Sequence, residues 1–452
     1  VSLPNYITLQ DFMSLTKKEK ITLFWFRRDL RLEDNAALYY ALKSQYPVVP
    51  LFIFDRNILD DVDKKDPRIT FIYQAIEKIR KELQKYGSDI LTYYGYPLKI
   101  WKQLSEEYDI AEVYTNTDYE PYALERDRDV FNIVKQEKTI FRTVKDQVIF
   151  EKQEILSGQN SPYTVFTPYS RAWKQKLNDF YLSSYPTKKY LGKLQKWTGP
   201  SIPTLKEIGF EVSDYDFPNH EVSETLLEDY AEKRDFPAVQ ATSRIGIHLR
   251  FGTISIRQLA RKAKAHSDVF LNELIWREFY QQILSNFPEV GRGRAFRSAY
   301  DLINWRYDKD DFKKWCEGKT GYPLVDAGMR QLNAIGFMHN RVRMVTASFL
   351  SKHLLIDWRL GEAYFAEKLL DYDMAANNGG WQWAAGSGTD AAPYFRIFNP
   401  AAQAQRFDPK GEYIKKWVPE IGTPEYPEPM VDHKMARERC LTAYKKALDK
   451  AR

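Results

Sequence analysis

The sequence predicts an α/β N-terminal half built on a doubly wound parallel sheet, followed by an all-helical C-terminal half. Three observations carry that expectation. Apolar runs of strand length alternate with helix-period segments from residue 21 to about 150. Beyond about residue 220 strand patterns vanish and amphipathic helices follow one another to the C-terminus. Between them, residues 151–219 hold Pro, Ser, Gly and Lys clusters such as LSGQNSP, YPTKKY and TGPSIP. Alternating strands and helices place helices on both faces of a parallel sheet. The expected domains are therefore 21–150 and 220–452, joined by a long connector at 151–219.

Taken in order, ITLFWF reads as the first strand, RRDLRLEDN as a loop, AALYYALKS as a helix and VVPLFIFD as the second strand. A helix near 67–86, a strand in DILTYYG, the helix PLKIWKQLSEEY and the strand AEVYTN follow. A helix to about 137 and a strand near 146–150 complete the half, and one clear helix falls in the connector near 168–182. No GxGxxG follows the first strand, so a dinucleotide held in the Rossmann manner is unsupported there.

Composition narrows the function classes. Aromatic residues make up 15% of the 452, with eleven tryptophans, heavy usage even for large cores. A net charge of +6 permits an anionic partner such as nucleic acid without demanding one. Cys316 and Cys440 match neither a disulfide framework nor a metal knuckle, the six histidines are scattered, and no HExxH occurs. No apolar run approaches the roughly 18 residues needed to cross a bilayer. The stretch VSLPNYITLQDFMSLTKKEK lacks the apolar core of a secretion signal. The expectation is a soluble cytoplasmic protein with no bound metal and no membrane partner.

Three C-terminal stretches carry faces that a plain bundle would not need. In LNELIWREFYQQIL, Leu271, Ile275, Phe279 and Ile283 make a core stripe, while Glu273, Trp276, Arg277 and Tyr280 share a second, aromatic and charged face. In MHNRVRMVTASFL, Asn340 and Met344 lie one turn apart, as do His339 and Arg343. In AANNGGWQWAAGSGTD, read as a helix with Asp371 and Asp373 as its acidic start, Trp381 and Trp383 point about 200° apart and serve different surfaces. Gly379 and Gly380 remove side chains one turn earlier, and Asn377 offers a neutral amide that both donates and accepts. A flat ring system with a hydrogen-bonding edge fits this arrangement, and so does a structural kink.

The runs FWFRRDLRLEDN, NELIWREFY, TGYPLVDAGMRQLNAIGFMHNRVRM and DYDMAANNGGWQWAAGSGTDAAPYFRIFNP resemble the photolyase and cryptochrome family, most of all the bacterial class I cyclobutane pyrimidine dimer photolyases. The resemblance covers about residues 21–447. It implies an α/β domain able to hold an antenna chromophore and an all-α C-terminal domain that binds FAD. By similarity, Tyr230 and the run Thr242, Ser243, Arg244, Ile245 and Gly246 grip the FAD phosphates and ribose. Arg343 and Asp371 form the ion pair beside the isoalloxazine, Asp373 touches its polar edge, and Asn377 sits by flavin N5. Trp381, Trp358 and Trp305 correspond to a chain of tryptophans from flavin to surface. Trp276 and Trp383 wall a slot for a dimer flipped from the duplex, which suits enzymes that act on bases. Glu273 and Asn340 hydrogen-bond the thymine edges, Met344 lies over the dimer, and Arg277, Arg341 and Arg396 meet DNA phosphates.

The implied activity is that of a carbon–carbon lyase: light-driven DNA repair in which excited, reduced FAD lends an electron that splits the cyclobutane ring. UV-damaged DNA, mainly duplex, is the expected partner of a monomeric enzyme. The competing reading is a cryptochrome, a blue-light photoreceptor that signals through partner binding; plant-type members carry Asp, and animal-type ones Cys, at the position of Asn377. The second chromophore is left open among methenyltetrahydrofolate, 8-hydroxy-deazaflavin and another flavin.

Overall fold

The computed structural model describes residues 19–451, and the reading of the first twenty residues as lacking a secretion signal falls almost wholly outside them. Two compact units are present. Among the described residues, one comprises 19–149, 179–220 and 251–259; the other comprises 150–178, 221–250 and 260–451.

The first unit is a five-stranded parallel sheet, β1 (Ile21–Phe26), β2 (Val48–Asp55), β3 (Leu91–Gly95), β4 (Ile110–Asn116) and β5 (Ile140–Val144), in the order β3-β2-β1-β4-β5. Helices α1 (Ala36–Leu42), α2 (Pro67–Gln84), α3 (Pro97–Glu107) and α4 (Pro121–Gln136) make the crossovers. Every residue of β1 and β2 is buried, as two-sided coverage requires of central parallel strands. Helix starts are set by local chemistry: Asn35 and Asp66 cap α1 and α2 through their side chains, and Pro67, Pro97 and Pro121 occupy first turns that need no N–H.

Two sequence expectations shift. The last strand is Ile140–Val144, not 146–150. The buried run Val148–Phe150 imitates a buried strand, whereas the true edge strand is largely exposed and so carries little apolar signal. The Phe150 N–H goes instead to the Glu278 carboxylate at 2.9 Å. The helix expected near 168–182 is α5 (Phe166–Lys176) followed by a separate short turn, Asp179–Leu182, because Leu177 is extended.

The second unit is helical. Its helices include α6 (Glu224–Lys233), α7 (Asp268–Asn286), α8 (Pro323–Ile335), α9 (Asn340–Ser348), α10 (Trp358–Lys368), α11 (Met374–Ala385) and α12 (His433–Lys450). One core runs through it, with Trp315, Val325, Phe349, Leu350, Trp381 and Tyr444 among its buried members. No helix among the described residues is long and apolar enough to cross a membrane.

Candidate functional site

Helix α7 begins at Ser267, whose hydroxyl accepts the Phe270 N–H. Its stripe of Leu271, Ile275, Phe279 and Ile283 is buried. The opposite face, Glu273, Trp276, Arg277 and Tyr280, lines a cavity of about 460 Å³. Helix α9 adds Asn340, Arg341, Arg343 and Met344, the turn before α11 adds Asp371, Tyr372 and Asp373, and α11 adds Asn377, Gly380, Trp381 and Trp383. Residues singled out on three separate stretches thus converge on one cavity.

Arg343 and Asp371 are paired through Nη2 at 2.9 and 3.1 Å to the two carboxylate oxygens, and Arg343 Nε donates to the Met338 carbonyl at 2.7 Å. A side chain at Gly246 would collide with Asp371, so the glycine permits their close approach. Asp373 lies at the start of α11 as its cap, accepting the Ala376 N–H at 3.2 Å, and stands 3.7 Å from Arg250. Phe337 lies under both Arg244, at 4.6 Å, and Arg343, at 5.8 Å.

Asn377 donates through Nδ2 to the Glu362 carbonyl at 3.1 Å and to its carboxylate at 2.8 Å. With its amide nitrogen so held, Asn377 lines the cavity. Burial raises the Glu362 pKa, and the Asn377 hydrogen bond opposes that rise in part. Trp381 lines the cavity, is 2% exposed, and packs edge-on against Phe365 at 5.0 Å and Trp315 at 6.0 Å. Its Nε1 is buried without a hydrogen-bond partner among the described residues.

The glycines divide their work. A side chain at Gly379 would run into the Tyr280 ring, so this glycine serves the packing of α11 on α7 and not the cavity. Gly380 faces open space and lines the cavity, as expected.

Some expected site residues lie elsewhere. Tyr230 is buried, Thr242, Ser243 and Gly246 are half-buried, Ile245 is buried and Arg244 is exposed; none of them lines this cavity. Trp358 and Trp305 are buried away from it, Trp305 against Tyr444 at 6.0 Å. Arg396 is exposed on the segment after α11, and its carbonyl accepts from the buried Lys352 ammonium at 2.9 Å.

Sequence reasoning missed Arg234, whose guanidinium pairs with Glu273 at 2.6 Å, and Glu362 behind Asn377. Burial disfavours the Arg234 charge, and the Glu273 carboxylate more than offsets this. Its one available signal was position, one helical turn after Tyr230. Arg341 is also engaged, with Asp235 at 2.8 Å and over the Phe407 ring at 4.2 Å.

The lining fits FAD's ring system. The volume suits a cofactor site, the apolar walls flank a flat group, and the Arg343–Asp371 ion pair and the Asn377 amide supply polar groups in the lining. Fold and cavity together define a class of protein in which a helical unit encloses a flat, polar-edged ring system.

Comparison with known proteins makes that class specific. Residues 22–189 match the DNA photolyase family model, and residues 270–425 match the FAD binding domain of DNA photolyase. A deoxyribodipyrimidine photo-lyase of Synechococcus sp. is 37% identical, covering 93% of this chain and 96% of its own, and that of Escherichia coli is also 37% identical, covering 94% and 98%. Among solved structures, a class III photolyase from Agrobacterium tumefaciens superposes with a TM-score of 0.83 at 33% identity, covering 96% of this chain and 99% of its own. An archaeal photolyase from Sulfolobus tokodaii, solved with two FAD molecules, gives 0.80 at 32% identity, covering 94% and 100%. The chain belongs to the photolyase/cryptochrome family.

Proposed function

We propose that this chain is a deoxyribodipyrimidine photolyase: it binds UV-damaged DNA, mainly duplex, as a monomer and splits cyclobutane pyrimidine dimers under blue light. The observation that carries the reading is the sharing of one cavity by two sets of groups. Arg343, Asp371, Asp373 and Asn377, groups suited to FAD, line the same cavity as Glu273, Trp276, Asn340, Met344 and Trp383, groups suited to a flipped dimer.

Bound, reduced FAD supplies the light-driven electron; the protein positions and tunes. Arg343 and Asp371 fix each other's orientation and would hold the ring system, and the Asn377 amide, oriented by Glu362, would meet its polar edge while adding no charge. By the family resemblance, Tyr230 and the run Thr242–Gly246 would hold the phosphate and ribose end. Trp276 and Trp383 exclude water from the dimer, and Glu273 and Asn340 meet its polar edges. Glu273 is already oriented by Arg234, so little reorganisation precedes contact. Arg277, Arg341 and Arg396 meet phosphates and set position without reading sequence. Trp381, Trp358 and Trp305 serve as the route by which electrons reach an oxidised cofactor. The Sulfolobus relative's two FAD molecules support a second, light-harvesting chromophore in the present chain too.

The family's photoreceptors are the competing reading, represented by a Synechocystis cryptochrome at 25% identity and a TM-score of 0.78, covering 94% of this chain and 99% of its own. Binding separates the two. FAD-loaded protein is expected to bind a duplex carrying one thymine dimer at least about a hundredfold more tightly than the undamaged duplex, as base-extruding enzymes favour a lesion that is easy to unstack. Equal affinity for both duplexes would contradict the proposal.

A further inference from the structure

Both tryptophan walls of the cavity rest on a second aromatic ring, and both of those rings are tied to one segment. Phe166 lies face to face with Trp276, ring centres 3.7 Å apart and planes within 5°. Phe398 lies behind Trp383 at 6.5 Å and 28°. Phe398 belongs to the segment 386–399 that follows α11, and the same segment returns to Phe166: Asp390 Oδ2 accepts the Phe166 N–H at 3.2 Å. Phe166 opens α5, and the residue before it, Val165, offers no side-chain acceptor. Asp390 therefore does for α5 what a local Ser or Asp does for other helices. It adopts a left-handed backbone, φ 44°, which aspartate tolerates better than most residues. Lys352, donating to the Arg396 carbonyl, ties the segment down a second time.

We infer that Phe166 and Asp390 are positioning residues for dimer recognition: Phe166 covers one face of the Trp276 indole, Asp390 holds Phe166 in place, and only the cavity-side face of Trp276 remains open to a base. This rests on the cavity being the dimer slot. A close parallel stack is not what two free rings prefer, since offset or edge-on pairs are better. The surroundings impose it: Phe279 meets both rings edge-on, at 5.9 Å to Phe166 and 5.6 Å to Trp276, and the Asp390 bond fixes the Phe166 backbone. Without the phenyl ring the indole gains a second orientation and the slot loses its shape. The arginines that meet phosphates are left as they were.

The test uses full-length, FAD-loaded protein and two probes, a duplex with a single thymine cyclobutane dimer and the same duplex undamaged. Phe166→Leu keeps a smaller apolar side chain and removes the flat ring; it is expected to weaken dimer-duplex binding about tenfold while undamaged binding stays within about twofold. Phe166→Tyr keeps the ring and is expected to bind like the wild type. Asp390→Ala is expected to lose the preference severalfold, whereas Asp390→Asn, whose amide oxygen still accepts, retains it. A wild-type preference in the Leu and Ala variants, or proportionate losses on both duplexes, would overturn the inference and leave the dimer-slot reading standing. A wild-type protein with no preference at all would overturn both.

Discussion

Glu273 and Arg234 show how much a single pair decides at the mouth of the cavity. At 2.6 Å the carboxylate neutralises a guanidinium that would otherwise attract phosphate indiscriminately. Glu273→Ala is accordingly expected to tighten binding to undamaged duplex severalfold at low salt and to steepen the salt dependence by about one charge, while the preference for dimer falls. Titration of affinity against salt on both duplexes checks this; an unchanged slope would show that Arg234 stays masked. His339 acts at the same scale through pH. It caps α9 by accepting the Arg341 N–H at 3.2 Å, and burial lowers its pKa to about 4. The unfolded chain takes up this proton near pH 6.5 and the folded chain only near pH 4, so stability present above that window is lost as pH falls through it, by up to about 3 kcal/mol. Denaturant unfolding between pH 7 and pH 4 should show a flatter dependence for His339→Gln than for the wild type.

Helix α11 stands out in the sequence because its glycines and its two opposed tryptophans break the pattern of an ordinary core helix, and several of its residues line the cavity. What the sequence could not tell was which neighbour each glycine accommodates. Gly379 makes room for Tyr280 on α7 and Gly380 for the cavity, a distinction set by helix packing alone. Gly379→Ala is expected to destabilise the helical unit by about 1–3 kcal/mol through overpacking, and Gly380→Ala to stabilise it by about 1 kcal/mol through helix propensity. Thermal unfolding of the two variants side by side tests this; a shift of the same sign in both would refute it. Arg234 and Glu362 escaped notice for a related reason. Each acts through a partner far off in sequence, and periodicity reports only neighbours on one helix. The edge strand β5 was misplaced because partial exposure erases the apolar signal that marked β1 and β2 so clearly.

Across the whole molecule, the parallel sheet and the helical unit followed from the alternation and its loss, while the convergence of α7, α9 and α11 needed the structure. Trp381 lines the cavity, and Trp358 and Trp305 lie buried in the same core. Trp381→Phe is expected to slow photoreduction of the bound cofactor by at least about tenfold and to spare repair by protein reduced beforehand. Equal loss of both would remove Trp381 from the route. Whether one cavity joins a reduced flavin to a flipped dimer is read from dimer loss in a defined duplex mixed with FAD-loaded, reduced protein, under blue light and in the dark. Restored thymines are expected in the illuminated sample, none in the dark, and none with Trp276→Ala at the same protein concentration. Illuminated wild-type protein that binds the dimer yet leaves it intact would contradict the shared cavity.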